Sequence, residues 1–189
     1  MTDKKNAIIH VFDKQNLNIL IPYLEQENYN IYTTNSIINT ILELVSNKDI
    51  VFSISNYIQT PEICDGRVKI LHPRIFGGIL GLRDNEMHID DIHYIHGQFF
   101  DLIVVNLYPF NPNNSKMGHT DILNNSEDFL LENIDIGGHT LLRAASKNYK
   151  WIDILSDPEQ YIDFIQGNTD RKILAKHAFK VIMKYDIVI

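Results

Sequence analysis

The chain has 189 residues, 44% of them hydrophobic, which is about one domain's worth of sequence with enough apolar side chain for a full core. Seventeen basic against 24 acidic residues leave a formal net charge of −7, which argues against a nucleic acid or an acidic membrane surface as the main partner. A lone cysteine, Cys64, excludes an intrachain disulfide and a Cys-rich zinc site; with no base partner that the sequence identifies, it reads as a packing residue. No apolar run has the length of a membrane span and the polar start, Met1 to Asn6, does not read as a signal peptide, so the expected location is cytoplasmic.

Ala7-Ile8-Ile9-His10-Val11-Phe12 is a β-rich apolar run, followed by a turn or helix start at Asp13-Lys14-Gln15-Asn16. Leu17, Leu20, Ile21 and Leu24 recur at helical spacing over residues 15–27, where Pro22 predicts a kink or a break. Tyr29-Asn30-Ile31-Tyr32 reads as a second strand. Thr33-Thr34-Asn35-Ser36 then caps a helix running to about Val45, and Asp49 to Phe52 is a third strand. Residues 53–80 read as one long functional loop, too apolar for disorder. Within it Arg67, Lys69, His72 and Arg74 crowd together between Gly66 and the pair Gly77-Gly78, with Pro73 among them, a pattern that suits an anionic small molecule and, taken alone, equally an ordinary basic surface loop.

Residues 86–97 form a polar helical stretch. His88, His93 and His96 on it are spaced five and three apart, which does not match the i, i+4 metal pair, so they read as a solvated face. Phe99 to Asn106 is the strongest strand, apolar without alternation and therefore buried on both faces as in a parallel sheet. A linker at 111–118 leads to a helix around 120–132; a turn at Asn133-Ile134-Asp135-Ile136-Gly137-Gly138 opens another near 139–148. Trp151 to Leu155 is a strand, Asp157-Pro158 starts a helix with proline well placed in its first turn, and 169–185 is a last amphipathic helix. Strands alternating with helices make an open α/β sheet. Ligands of such sheets lie beyond the carboxyl ends of the strands, which selects Asp13, Lys14, Thr33 to Ser36, Asn106, Tyr108 and Asp135, with Arg143 and Lys147 further along the helix and Arg67 and Lys69 from the loop. This is an anion-binding and acid/base set rather than a metal set.

Five blocks carry a family resemblance: Asp-Gly-Arg-Val-Lys-Ile-Leu-His-Pro (65–73), Gly-Gly-Ile-Leu (77–80), Asn-Leu-Tyr-Pro-Phe (106–110), Asn-Ile-Asp-Ile-Gly-Gly (133–138) and Leu-Arg-Ala-Ala-Ser-Lys-Asn (142–148). In this order they resemble the inosine monophosphate cyclohydrolase domain, the amino-terminal part of a bifunctional purine-biosynthesis enzyme, up to Ala175-Lys176-His177-Ala178-Phe179. The resemblance implies a methylglyoxal-synthase-like three-layer α/β sandwich around a mostly parallel sheet. It implies a single domain over 1–189, with the transformylase domain absent. The implied reaction cyclises 5-formamidoimidazole-4-carboxamide ribonucleotide (FAICAR) to inosine monophosphate (IMP) with loss of water, and it needs no metal and no redox cofactor. A homodimer and a separate transformylase are the implied partners.

By the same resemblance Lys69, Tyr108, Asp135 and Lys147 match the catalytic positions, with Lys147 polarising or protonating the formyl oxygen, Asp135 handling the amine proton, and Lys69 and Tyr108 steering the formamide. Arg67, Ile70, Val105, Asn106, Ile136 and Gly137 would hold the base and carboxamide. Phe12, Asp13 and Lys14, with Thr33, Thr34, Asn35 and Ser36, match the two phosphate loops, but depart from the family pattern there. The first loop reads Ser-Val-Ser-Asp-Lys-Thr-Gly in the family and His10-Val11-Phe12-Asp13-Lys14-Gln15-Asn16 here; the second reads Ser-Gly-Gly-Thr against Thr33-Thr34-Asn35-Ser36. Loss of the glycines restricts backbone approach to a phosphate. The alternatives are therefore a catalytically impaired or regulatory purine-nucleotide-binding module on the same fold and, less favoured by the blocks, a methylglyoxal synthase.

Overall fold

A computed structural model describes residues 4–108, 110 and 131–189. The expected linker at 111–118 lies outside the described residues, as does the helix around 120–132 apart from Leu131 and Glu132.

Among the described residues five parallel strands form one sheet: β1 (Lys5–Val11), β2 (Tyr29–Thr33), β3 (Val51–Ser53), β4 (Leu102–Asn106) and β5 (Asp153–Leu155), in the order β3-β2-β1-β4-β5. The register of β1 on β4 sets Ile8 against Ile103 and Ile9 against Val104. Side chains alternate across a strand, so Ala7, Ile9, Val11, Leu102 and Val104 face one core, and Ile8, Ile103 and Val105 the other. Both faces are covered. Helices α1 (Leu17–Gln26), α2 (Ile38–Leu42) and α7 (Gln160–Ile165) contribute to the first core; α3 (Ile54–Ile58), α4 (Pro73–Leu80), α6 (Gly137–Lys147) and α8 (Arg171–Val188) contribute mainly to the second. This is the three-layer sandwich expected from the sequence, with every strand pair parallel. No helix among the described residues is long and apolar enough to cross a membrane.

Several local expectations change. Pro22 does not break α1: it removes one donor, but Leu17, Leu20, Ile21 and Leu24 stay buried on one stripe and the helix continues to Gln26. Helix α2 starts later and is shorter than the threonines imply, because their hydroxyls are used elsewhere. Thr33 donates to the Ile9 carbonyl and Thr34 pairs with Ser36, so neither caps α2. The stretch 53–80 is not one loop, since it contains α3 and α4, and only 59–72 between them is irregular. Pro73 is the first residue of α4 and His72 its cap, the imidazole Nδ1 accepting from the Arg74 amide at 3.1 Å. Cys64 is exposed at the turn of the basic segment rather than packed. Helix α5 (Glu86–Tyr94) follows, with His93 and His96 exposed and His88 half-buried.

The glycine pair expected at the end of the basic loop lies inside α4, where it allows close approach. A Cβ on Gly78 would stand 2.0 Å from the Gln98 carbonyl oxygen and 2.9 Å from the Phe100 ring. Backbone on backbone cannot yield as a flexible side chain would. Gly78→Ala should therefore destabilise the chain by about 2 kcal/mol or more, read as a lower denaturant midpoint at unchanged slope. A stability within about 0.5 kcal/mol of the parent would mean that α4 does not sit against Gln98 this closely.

Candidate functional site

The chain adds β2 and β3 on one side of β1, then crosses to add β4 and β5 on the other. Loops leaving β1 and β4 therefore diverge at their carboxyl ends and open a crevice. A cleft of about 650 Å³ lies there, walled by His10, Tyr108, the loop 65–71 and the turn 131–137.

Asn106, last residue of β4, ties the two diverging loops together. Its side-chain oxygen accepts from the Phe12 and Asp13 amides at 2.7 and 2.8 Å, and its amide nitrogen donates to the Asp13 carbonyl at 2.8 Å. The Phe12 ring then packs on Tyr108, centroids 5.0 Å apart. Asp135 is buried; its Oδ1 accepts from the Gly138 amide at 2.7 Å and its Oδ2 from the Tyr108 amide at 3.4 Å. The carboxylate thus caps the start of α6, where exposed N–H groups favour an anion. Burial, then the Asp135 charge and then Glu62, hold the Tyr108 phenol above its usual range, so it is a neutral hydrogen-bond donor near neutral pH. The loop reaches the cleft through consecutive left-handed residues, Cys64, Asp65 and Gly66, which turn the chain sharply and present Arg67 and Lys69. Arg67 is ion-paired with Glu132 at the exposed mouth, a contact that water and salt weaken.

Of the residues expected at the site, Arg67, Lys69, Ile70, Tyr108, Asp135, Ile136 and Gly137 line this cleft. Phe12, Asp13 and Asn106 form its edge through the contacts above. The second phosphate-loop group lies beyond His10, at the end of β2, and its polar atoms, like Lys14 of the first loop, are paired within the chain. Thr33 is fully buried, Thr34 pairs with Ser36 at 3.0 Å, Asn35 accepts from Ser53 at 3.0 Å, and Lys14 donates to Thr40 at 3.0 Å. Val105 has its side chain in the core and presents none to the cleft. Lys147 is not brought to the cleft either. Helix α6 runs from the cleft back toward the start of β5, its 11 residues rising about 15 Å, so Lys147 is exposed at the opposite end of the sheet, where β5 begins. Arg143, on the same helix, lies over the Phe179 ring at 4.9 Å. Among the described residues, no group of three or more His, Cys, Asp or Glu side chains is placed to hold a metal ion.

Two residues at the site were given no role by the sequence. His10 faces the cleft from β1, 8% exposed, its Nδ1 at 3.3 Å from the Thr34 hydroxyl. Burial holds its imidazole below the usual value of 6.5, with Lys69 acting the same way and Asp135 and Glu62 opposing. A polar residue at the carboxyl end of an apolar strand was the available signal. Tyr185, near the end of α8, accepts from the Asp135 amide at 2.7 Å and donates to the Asn133 carbonyl at 3.1 Å. It pins the turn that carries Asp135 from fifty residues away, a role with no local sequence signal. Tyr185→Phe should cost about 1–2 kcal/mol and speed hydrogen exchange at the Asp135 amide; unchanged exchange there would mean that the hydroxyl does not hold the turn.

No family model matches the chain. It is 38% identical over 193 residues to the bifunctional purine biosynthesis protein PurH of Caldicellulosiruptor saccharolyticus, covering 98% of this chain and 36% of that protein. It is 41% identical over 190 residues to PurH of Rhodopirellula baltica, covering 96% of this chain and 35% of that protein. The chain thus spans about a third of the length of these relatives. A crystal structure of ForH superposes with a TM-score of 0.76 at 26% identity, covering 98% of this chain and 97% of the ForH chain. Over nearly its whole length the chain is therefore similar to one part of PurH, in line with the resemblance of its five sequence blocks to the cyclohydrolase domain.

Proposed function

We propose that the chain is an inosine monophosphate cyclohydrolase, converting FAICAR to IMP and water in the final step of de novo purine biosynthesis. The observation that carries this reading is the convergence of Lys69, Tyr108 and Asp135, from three separate segments, on one cleft where the sheet reverses. The kinship with PurH supports it. The reaction is intramolecular: a carboxamide nitrogen attacks a formyl carbon of the same molecule. It calls mainly for a near-attack geometry and for charge stabilisation on the formyl oxygen.

Lys69 and the neutral Tyr108 hydroxyl would donate to the formamide, drawing electron density from the formyl carbon. Asp135, held by two backbone amides, would accept an N–H of the carboxamide and turn that nitrogen toward the carbon. The Ile136 and Gly137 amides and Arg67 would hold the base and carboxamide. Lys147 takes part only where a second copy of the chain carries it to the cleft, which places it with the homodimer in this proposal. A separate transformylase supplying FAICAR and a cytoplasmic location belong to the same reading.

The phosphate side supports a second reading, a nucleotide-binding module without turnover. Phe12 stands where the family pattern has a serine, and Lys14 of the β1 loop and the hydroxyls at the end of β2 are already paired within the chain. Absorbance during incubation with FAICAR separates the two: acceleration over the spontaneous rate is expected, and Lys69→Ala should lower it about 100-fold. No acceleration, with calorimetric binding of IMP, would establish the second reading instead. Phe12→Ser should tighten IMP binding by restoring a hydroxyl and relieving bulk. Unchanged or weaker binding would mean that the β1 loop does not limit the anchoring of the phosphate.

A further inference from the structure

We infer that His10 is the group that carries the proton from the attacking nitrogen to the formyl oxygen, an inference that rests on the cyclohydrolase reading above. Ring closure moves a hydrogen from nitrogen to oxygen within one small assembly. Asp135 and Lys69 face the two ends of that path, but a fixed carboxylate and a fixed ammonium each hold one end only. A carrier has to touch the cleft, stand between the carboxylate and the cation, and exchange protons near neutral pH.

His10 meets these requirements by position. It rises from the end of β1 into the floor of the cleft, at the reversal of the sheet. Its Nδ1 is held by Thr34, whose hydroxyl is in turn paired with Ser36, so the ring is fixed and its Nε2 edge is the one presented to a ligand. The charged groups around it are Asp135 from the turn before α6, and Lys69 and Glu62 from the loop 59–72; Tyr108 enters the same cleft beyond the end of β4. Two carboxylates stabilise an imidazolium formed in passing, whereas Lys69 and burial keep the resting ring neutral. Lys147, the residue expected to protonate the formyl oxygen, is at the other end of the sheet, so among the described residues of one chain this task is open.

As the N–C bond forms, neutral His10 takes a proton from the attacking nitrogen and becomes imidazolium beside Asp135. It delivers that proton to the formyl oxygen, giving the carbinolamine, and is neutral again. When the C–O bond breaks, the hydrogen on the former formamide nitrogen completes the departing water and the C=N bond closes. His10 neither gains nor loses a proton over the cycle.

The experiment compares parent, His10→Gln and His10→Asn with FAICAR by absorbance and with IMP by calorimetry, across about pH 5 to 8. Asn retains a partner for Thr34; Gln places its amide near the Nε2 position. Both should fall at least about 100-fold in kcat, while IMP binding stays within about threefold of the parent. The parent kcat/KM should fall on the acid side of 6.5, at the pH where His10 itself titrates by NMR in the free protein, and that limb should be missing from both variants. A variant that keeps kcat within about threefold, or a limb that persists in it, overturns the inference. Where neither variant folds, the parent decides alone: an NMR titration of His10 that does not coincide with the kinetic limb overturns it. A parent that shows no turnover of FAICAR removes the cyclohydrolase reading and this role together. A parent that turns over beside fully active variants removes only the role of His10.

Discussion

The pairing of β1 with β4 is the constraint on which the rest of the structure depends. It joins strands separated by nearly a hundred residues, and it is where the sheet changes direction. Because the pair is parallel and buried on both faces, a slip of one residue would turn β1 over relative to β4, sending Ile8 to the side now filled by Ile9. The same register sets Val11 beside Asn106, which allows the Asn106 side chain to bond the Phe12 and Asp13 backbone. The crevice is therefore fixed by the core beneath it. The turn holding Asp135 is also secured from α8 through Tyr185, and the Tyr108 amide joins it to the loop leaving β4.

Much of this was legible in the residues. The unbroken apolar run at 102–105 indicates a strand buried on both faces, and the rule of carboxyl ends and sheet reversal then points to Asn106, Tyr108 and Asp135 without further information. The errors share a physical cause: residue types that serve local conformation in one setting serve packing in another. Gly77 and Gly78 signal a turn by type, but in α4 they allow a helix to touch backbone at Gln98. Thr33 and Thr34 signal a cap by type, but their hydroxyls are taken by the Ile9 carbonyl and by Ser36. Pro22 signals a break, yet the burial of four apolar side chains around it outweighs one lost hydrogen bond. Tyr185 and Lys147 required the tertiary structure: one approaches the site through a contact spanning fifty residues, and the other leaves it along a helix axis.

Two of the four departures from the family pattern in the first loop are related by strand geometry. Positions 10 and 12 are serines in that pattern, and in an extended chain residues two apart point to the same side. Here both carry rings, His10 in the cleft floor and Phe12 on Tyr108 at the cleft edge. The wall has therefore changed as a unit, from two small hydroxyls to an imidazole and a phenyl ring, while Lys69, Tyr108 and Asp135 keep the residue types that their motifs require. A wall built this way gives up donors for an anion and gains a titratable group beside the carboxylate and the ammonium. Anchoring and proton transfer then draw on the same few atoms, because the Thr34 hydroxyl that holds His10 also belongs to the group expected at a phosphate. A phosphate that engaged Thr34 would compete for the hydrogen bond that orients the imidazole, so in this chain occupancy of the anchoring side and the orientation of the proton carrier are coupled through one side chain.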